Sequence, residues 1–121
     1  MAKTILVIDD SDSMRQVIHI SLKKFGYDVI EAVDGKDGLS KLAGQKINLI
    51  ICDVNMPNMD GITFVREMKK LAAHKFTPVI MLTTESQESQ KQEGKKAGAR
   101  AWIVKPFKPE ILQSAVEKLV R

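Results

Sequence analysis

Four aliphatic runs in this chain of 121 residues each stop on a side chain that can do chemistry. Thr4-Ile5-Leu6-Val7-Ile8 stops on Asp9-Asp10, and Leu49-Ile50-Ile51-Cys52 on Asp53. Pro78-Val79-Ile80-Met81-Leu82 stops on Thr83, and Ala101-Trp102-Ile103-Val104 on Lys105. Asp53 is the most telling of these. A carboxylate at the end of a buried strand costs desolvation unless something cationic answers it. Pro57, Asn58, Asp60 and Gly61 follow with turn chemistry, which fixes the backbone beyond it. Brought to one rim, these ends would set three carboxylates beside a hydroxyl and an ammonium. Clustered carboxylates repel, and at neutral pH they need a cation or raised pKa values. No His or Cys stands in the set, so the ligation is all oxygen, which favours Mg²⁺ over zinc or copper. A carboxylate beside such an ion can attack phosphorus and form an aspartyl phosphate. Phosphoryl transfer asks little more than position and charge neutralisation. Lys105 supplies a compact positive charge and Thr83 a hydroxyl for a phosphoryl oxygen. Asp53 is therefore the candidate phosphoryl acceptor.

The elements that must position these groups follow from periodicity. Ser11 or Asp12 can cap a first helix with Met14, Val17, Ile18, Leu22 and Phe25 at helical spacing, and Gly26 stops it. Tyr27 to Ala32 mixes apolar and charged residues as an edge strand would. Asp34-Gly35 opens a short helix with Leu39 and Leu42 inward. After Gly61 a helix carries Ile62, Val65, Met68 and Ala72 on one face, with Phe64 and Leu71 beside it. Residues 85–97 form a poor fourth helix, almost without apolar side chains before Ala97, and Gly94 costs it about 1 kcal/mol relative to Ala. Pro109 starts a last helix, with Ile111, Leu112, Ala115, Val116, Leu119 and Val120 following at helical spacing. Strict strand–helix alternation predicts an α/β fold of parallel strands, right-handed crossovers and helices on both faces. Ligands in such sheets bind outside the carboxyl ends of the strands. The four strands that read as internal end on Asp9-Asp10, Asp53, Thr83 and Lys105, whereas the edge-like second strand ends on nothing reactive.

Composition is ordinarily globular and the length is that of one domain. One cysteine excludes an internal disulfide and a cysteine-based zinc site, and Cys52 reads as a buried, inert thiol. The Ile5–Ile8 run is too short for a signal peptide or a membrane span, so a cytoplasmic protein with no membrane partner is expected. Residues 1–86 carry 11 Lys/Arg against 11 Asp/Glu, and residues 87–121 carry 8 against 4, so the net charge of +4 sits in the last third. Lys23-Lys24, Lys69-Lys70 and Lys95-Lys96 lie on separate segments without interleaved aromatics, which argues for solvated surface rather than nucleic-acid binding. His19 and His74 read as surface residues.

The set Asp9-Asp10, Asp53 with Met56-Pro57 and Asp60-Gly61, Thr83, and Lys105-Pro106-Phe107 resembles the receiver domain of the two-component response regulators, over the whole chain. The resemblance implies a flavodoxin-like (βα)5 fold, with a five-stranded parallel sheet in the order 2-1-3-4-5 and helices on both faces. It implies one receiver domain over residues 1–121 with no output domain: a monomeric, stand-alone regulator of the chemotaxis kind, signalling by phosphorylation-controlled protein binding. Asp53 would be the phosphorylated residue. Asp10, Asp53 and the backbone carbonyl of Asn55 would ligate Mg²⁺ (or Mn²⁺), with Asp9 acting largely through water. Thr83 and Lys105 would sense the phosphoryl group, across a cis Lys105–Pro106 peptide. Asn55 and Glu85 would govern phosphate lifetime, as a regulator and not a metabolic enzyme requires. The donor would be a histidine kinase, a histidine phosphotransfer domain or a small acyl phosphate. The target would be an acidic protein on the face of helix 4, strand 5 and helix 5, where the basic excess lies. Trp102 stands where this family more often has Tyr or Phe, and is either packing or a ring that moves on phosphorylation.

Other readings stay open. A phosphate sink or a non-motility two-component regulator would use the same site. A haloacid-dehalogenase-type phosphatase also uses an Asp nucleophile with Mg²⁺, but its strand-one Asp residues are spaced by one, whereas Asp9 and Asp10 are adjacent. A flavin binder would need a rim that does not repel phosphate, and no phosphate-cradling glycine loop is present.

Overall fold

The computed structural model describes residues 2–84 and 88–120. Five strands, β1 (Thr4–Ile8), β2 (Asp28–Ala32), β3 (Leu49–Asp53), β4 (Val79–Thr83) and β5 (Ala101–Val104), alternate with five helices. The helices are α1 (Asp12–Lys24), α2 (Gly35–Leu42), α3 (Gly61–Met68), α4 (Glu88–Ala97) and α5 (Pro109–Leu119). The strands form one parallel sheet in the order β2-β1-β3-β4-β5, as the resemblance implied. β5, which reads as internal in the sequence, is the second edge of the sheet.

Side-chain alternation along the strands splits the core in two. Ile5, Val7, Leu49, Ile51, Ile80 and Leu82 pack with Ile18 and Leu22 of α1 and Leu112 and Val116 of α5. On the opposite face, Leu6, Ile8, Ile50, Cys52, Val79 and Met81 pack with Leu42 of α2 and Phe64, Val65 and Met68 of α3. β3 and β4 are buried at every position, which is why they read as continuous aliphatic runs.

Helix boundaries come from local chemistry. Ser11 caps α1, its hydroxyl accepting from the Met14 amide. Gly26 follows at φ 89°, a left-handed conformation that favours glycine. Asp34 caps α2 and Asp60 caps α3.

Several expected inward positions differ. Val17 and Phe25 are 55% and 42% exposed, and the inward stripe of α1 is Arg15, Ile18 and Leu22. α3 ends at Met68, so Leu71 and Ala72 lie in the turns beyond it and face solvent. Ile111 of α5 is exposed as well. A helical hydrophobic pattern fixes a period, but the width of the face that finds a partner depends on the sheet beneath it. His74 is buried, with Nε2 on the Leu42 carbonyl at 3.0 Å. It ties the end of α2 to the segment before β4, a role that a lone histidine in a sequence does not announce.

Candidate functional site

The carboxyl ends of β1, β3, β4 and β5 meet at one rim, where they bring together five of the residues expected there. Asp53 ends β3, beside Leu82 of β4, which places Thr83 one residue further on the neighbouring strand. Thr83 is fully buried, and its carbonyl accepts from the Lys105 amide at 2.6 Å. Asp9 follows β1. Its carboxylate is almost wholly buried, accepting the Ser11 amide on Oδ1 at 2.9 Å and Lys105 Nζ on Oδ2 at 3.0 Å. The same ammonium lies 3.5 Å from Asp53 Oδ2. Asp10 is exposed at the mouth. Each of Asp9, Asp10 and Asp53 offers a carboxylate oxygen, and these oxygens lie within 4.8 Å of one another. The Lys105–Pro106 peptide is cis.

The loop after Asp53 is held from several sides. The Val54 amide donates to the Leu82 carbonyl and the Gly61 amide to the Val54 carbonyl. A Cβ at residue 61 would overlap the Asp53 carbonyl, so only glycine allows α3 to start against the end of β3. Asp60 Oδ1 accepts the Thr63 amide at 2.8 Å, and Asn58, at φ 68°, donates from Nδ2 to Asp34 Oδ2. Asn55 is exposed on this loop.

Electrostatics follow from the count. Among the described residues, three carboxylates face the one ammonium that reaches them, which leaves two negative charges in a partly buried pocket. Burial pushes the Asp53 carboxyl above its ordinary value, Lys105 pulls it back, and Asp9 and Asp10 push it further up. A divalent cation would neutralise that excess, and an all-oxygen donor set suits a hard one. Burial also raises the Cys52 thiol well above its ordinary range, so it is inert as a nucleophile.

Trp102 is partly buried at the margin of the core on the α2–α3 face of the sheet, against Gly94 of α4. Its Nε1 is buried without a hydrogen-bond partner among the described residues. Glu85, expected to act on phosphate lifetime, lies outside the described residues.

Arg15 is the residue that sequence reasoning missed. Its guanidinium donates from Nη1 to the Asp9 carbonyl at 2.6 Å, from Nη2 to Asp12 Oδ1, and from Nε to Glu31 Oε1 at 3.1 Å. The signal was present: Arg15, Ile18 and Leu22 share one helical face, and a charged residue on an inward face needs a partner.

This fold and rim define a class of signalling domain, and the chain belongs to the response regulator receiver domain family, matched over residues 5–117. It is 42% identical in sequence to the Vibrio cholerae chemotaxis protein CheY4, with a TM-score of 0.95 over 99% of this chain and 100% of that one. It is 39% identical to chemotaxis protein CheY1 of Helicobacter pylori over 115 residues, covering 93% of each. The receiver domain of the Pseudomonas aeruginosa sensor histidine kinase PA1611, solved with a magnesium ion coordinated in its active-site cleft, is 26% identical, with a TM-score of 0.91 over 98% of each chain. The chain spans about half the length of other curated relatives it matches, among them the transcriptional regulatory protein PhoP of Bacillus subtilis (50%). Among the described residues no helix is long and apolar enough to cross a membrane.

Proposed function

We propose that this chain is a phosphorylation-activated regulator of two-component signalling in which Asp53 accepts the phosphoryl group. The observation that carries the reading is the meeting of Asp9, Asp10 and Asp53 at one rim, with Lys105 Nζ 3.0 and 3.5 Å from Asp9 and Asp53. Asp10, Asp53 and the Asn55 carbonyl would hold Mg²⁺, with Asp9 acting through water; Mn²⁺ suits the same oxygen donors. A bound Mg²⁺ supplies charge neutralisation for the phosphoryl oxygens and for the acidic trio. In the transfer, an Asp53 carboxylate oxygen forms a bond to phosphorus. The bond from phosphorus to the donor's imidazole nitrogen or acyl oxygen breaks, and its electron pair leaves with the donor. Lys105 then turns its charge to a phosphoryl oxygen, and Thr83 donates its hydroxyl to another. In hydrolysis water attacks phosphorus, the bond from phosphorus to the Asp53 oxygen breaks with its electron pair left on the carboxylate, and inorganic phosphate leaves carrying the water's oxygen and protons. Asn55, exposed beside the site, and Glu85 would set the pace of that attack. The chain thereby catalyses its own phosphorylation and dephosphorylation without being a metabolic enzyme.

The donor would be a histidine kinase, a histidine phosphotransfer domain or an acyl phosphate. The similarity to CheY4 and CheY1 along nearly their whole length supports a stand-alone role in chemotaxis. The output face would be α4, β5 and α5. Lys91, Lys95 and Arg100 line a small recess beside Trp102 there, and Val104 and Ile111 are exposed, which suits an acidic, partly apolar protein partner. Phosphorylation would move the Trp102 ring on this face.

Intact-mass analysis after incubation with acetyl phosphate and Mg²⁺ tests the reading. One phosphoryl group on residue 53, lost in Asp53→Asn, is expected. No added group, or one at another residue, overturns it.

A further inference from the structure

We propose that Arg15 is a positioning residue of the cation site, acting on Asp10 through the backbone. The inference rests on the reading of the acidic rim as a Mg²⁺ site. Asp10 is the one carboxylate of the trio that nothing orients directly: it is exposed and makes no hydrogen bond or ion pair among the described residues. Asp9, by contrast, is held at four points. Its amide donates to the Ala32 carbonyl at 3.1 Å, its two carboxylate oxygens accept from the Ser11 amide and Lys105, and its carbonyl accepts from Arg15. That carbonyl belongs to the planar peptide unit whose other half is the Asp10 amide. Fixing its direction therefore fixes the orientation from which Asp10 departs.

Arg15 is well placed for this work. It is 9% exposed, so its grip on the Asp9 carbonyl is shielded from competing water. Its planar fork is aimed by acceptors from two elements, Asp12 of α1 and Glu31 of β2, and Glu31 is itself held by His19 Nδ1 at 2.8 Å. Those two carboxylates also balance its charge, so it acts on the metal site through geometry more than through a positive field. The arrangement parallels the outer partners of metal ligands elsewhere, which hold a donor group at its productive angle.

Calorimetric titration with Mg²⁺ tests this on wild type, Arg15→Gln and Lys23→Gln. Loss of the grip on the peptide weakens Mg²⁺ binding in Arg15→Gln by roughly 10-fold or more, the usual effect of losing an outer partner. Lys23→Gln takes the same charge from α1 but lies outside the Arg15 network, in an exposed pair with Asp28 at 3.5 Å, so its affinity stays close to wild type. In the amide spectrum of the metal-free protein, Arg15→Gln moves the Asp10 resonance and Lys23→Gln does not. Arg15→Lys, which keeps the charge but lacks the fork, serves where Arg15→Gln does not fold; it too binds Mg²⁺ more weakly than wild type. Wild-type affinity in a folded Arg15 variant, or equal weakening by Arg15→Gln and Lys23→Gln, overturns the proposal and leaves the Mg²⁺ site standing. Failure of wild type itself to bind Mg²⁺ removes both.

Discussion

Gly94 of α4 lies against the indole of Trp102 on β5. A Cβ at residue 94 would come within 2.6 Å of the ring atom Cζ3 and 3.2 Å of Cε3. A glycine inside a helix weakens it by about 1 kcal/mol relative to alanine, and here the missing side chain is the space the indole occupies. The oddities of helix four and of Trp102 are thus one feature: a large ring on an edge strand and a gap in the helix that covers it.

Substituting Gly94 with Ala sets two effects against each other. Helix propensity gains about 1 kcal/mol, while overpacking against a ring held by the sheet costs about 1–3 kcal/mol. The expected outcome of Gly94→Ala is a net loss of about 1 kcal/mol, with a shifted emission spectrum from the sole tryptophan. Denaturant unfolding followed by fluorescence checks both. A more stable variant with unchanged emission would show that the ring has room to spare.

Asp53 makes a prediction about pH. Burial raises its carboxyl above the ordinary 3.8, against the pull of Lys105. A carboxyl raised on folding holds its proton more tightly in the folded chain, so ionisation costs stability as pH climbs from the unfolded value through the folded one. The cost is complete at neutral pH without divalent ions and gone below the ordinary value. Asp53→Asn therefore raises the melting temperature of the metal-free protein at neutral pH, and the difference from wild type closes as the solution is acidified. Added Mg²⁺ stabilises wild type more than the variant. Melting curves across the acid range, with and without Mg²⁺, measure this, and a gain that persists in acid would contradict it.

α4 brings little apolar surface to the sheet. Over residues 91–97 only Gly94, which has no side chain, is buried. The Arg66–Glu93 pair at 2.6 Å links α3 to it, half-exposed on both sides. Amide exchange in α4 is expected to be faster than in α1 and α5. Glu93→Gln should speed it further by no more than about fivefold, because an exposed pair contributes roughly 0.2–1 kcal/mol. Equal protection in all three helices would mean that the ring and the ion pair dock α4 as firmly as an apolar face.

His74 lies at the amino end of the sheet, away from the rim. His74→Ala takes from the Leu42 carbonyl the shorter of its two hydrogen bonds, leaving that of the Gln45 amide at 3.3 Å, and should cost about 1 kcal/mol. Mg²⁺ affinity should not change. A loss of Mg²⁺ binding would show that the two ends of the molecule are coupled.

The chain's order of residues settled the α/β class, the strand ends and the reactive side chains they carry, since short aliphatic runs that end on Asp9-Asp10, Asp53, Thr83 and Lys105 are written locally. Ser11 was legible as one of two candidate caps, and Asp34 and Asp60 as turn chemistry ahead of a helix, because each acts within one turn of backbone. What needed the folded chain were relations between residues distant in sequence. Lys105 Nζ meets Asp9 across 96 positions, and Arg15 reaches Glu31 on a strand that reads only as an edge. Periodicity placed Val17 and Phe25 inward, but the sheet offers α1 a narrower face than the pattern, and Arg15 occupies part of it. His74 and Gly94 carried no local signal, because the first is defined by a carbonyl 32 positions away and the second by the ring it makes room for. Hydrophobic pattern and turn chemistry act over a few residues, whereas satisfying a buried charge or fitting a ring depends on which distant atoms the packed sheet delivers.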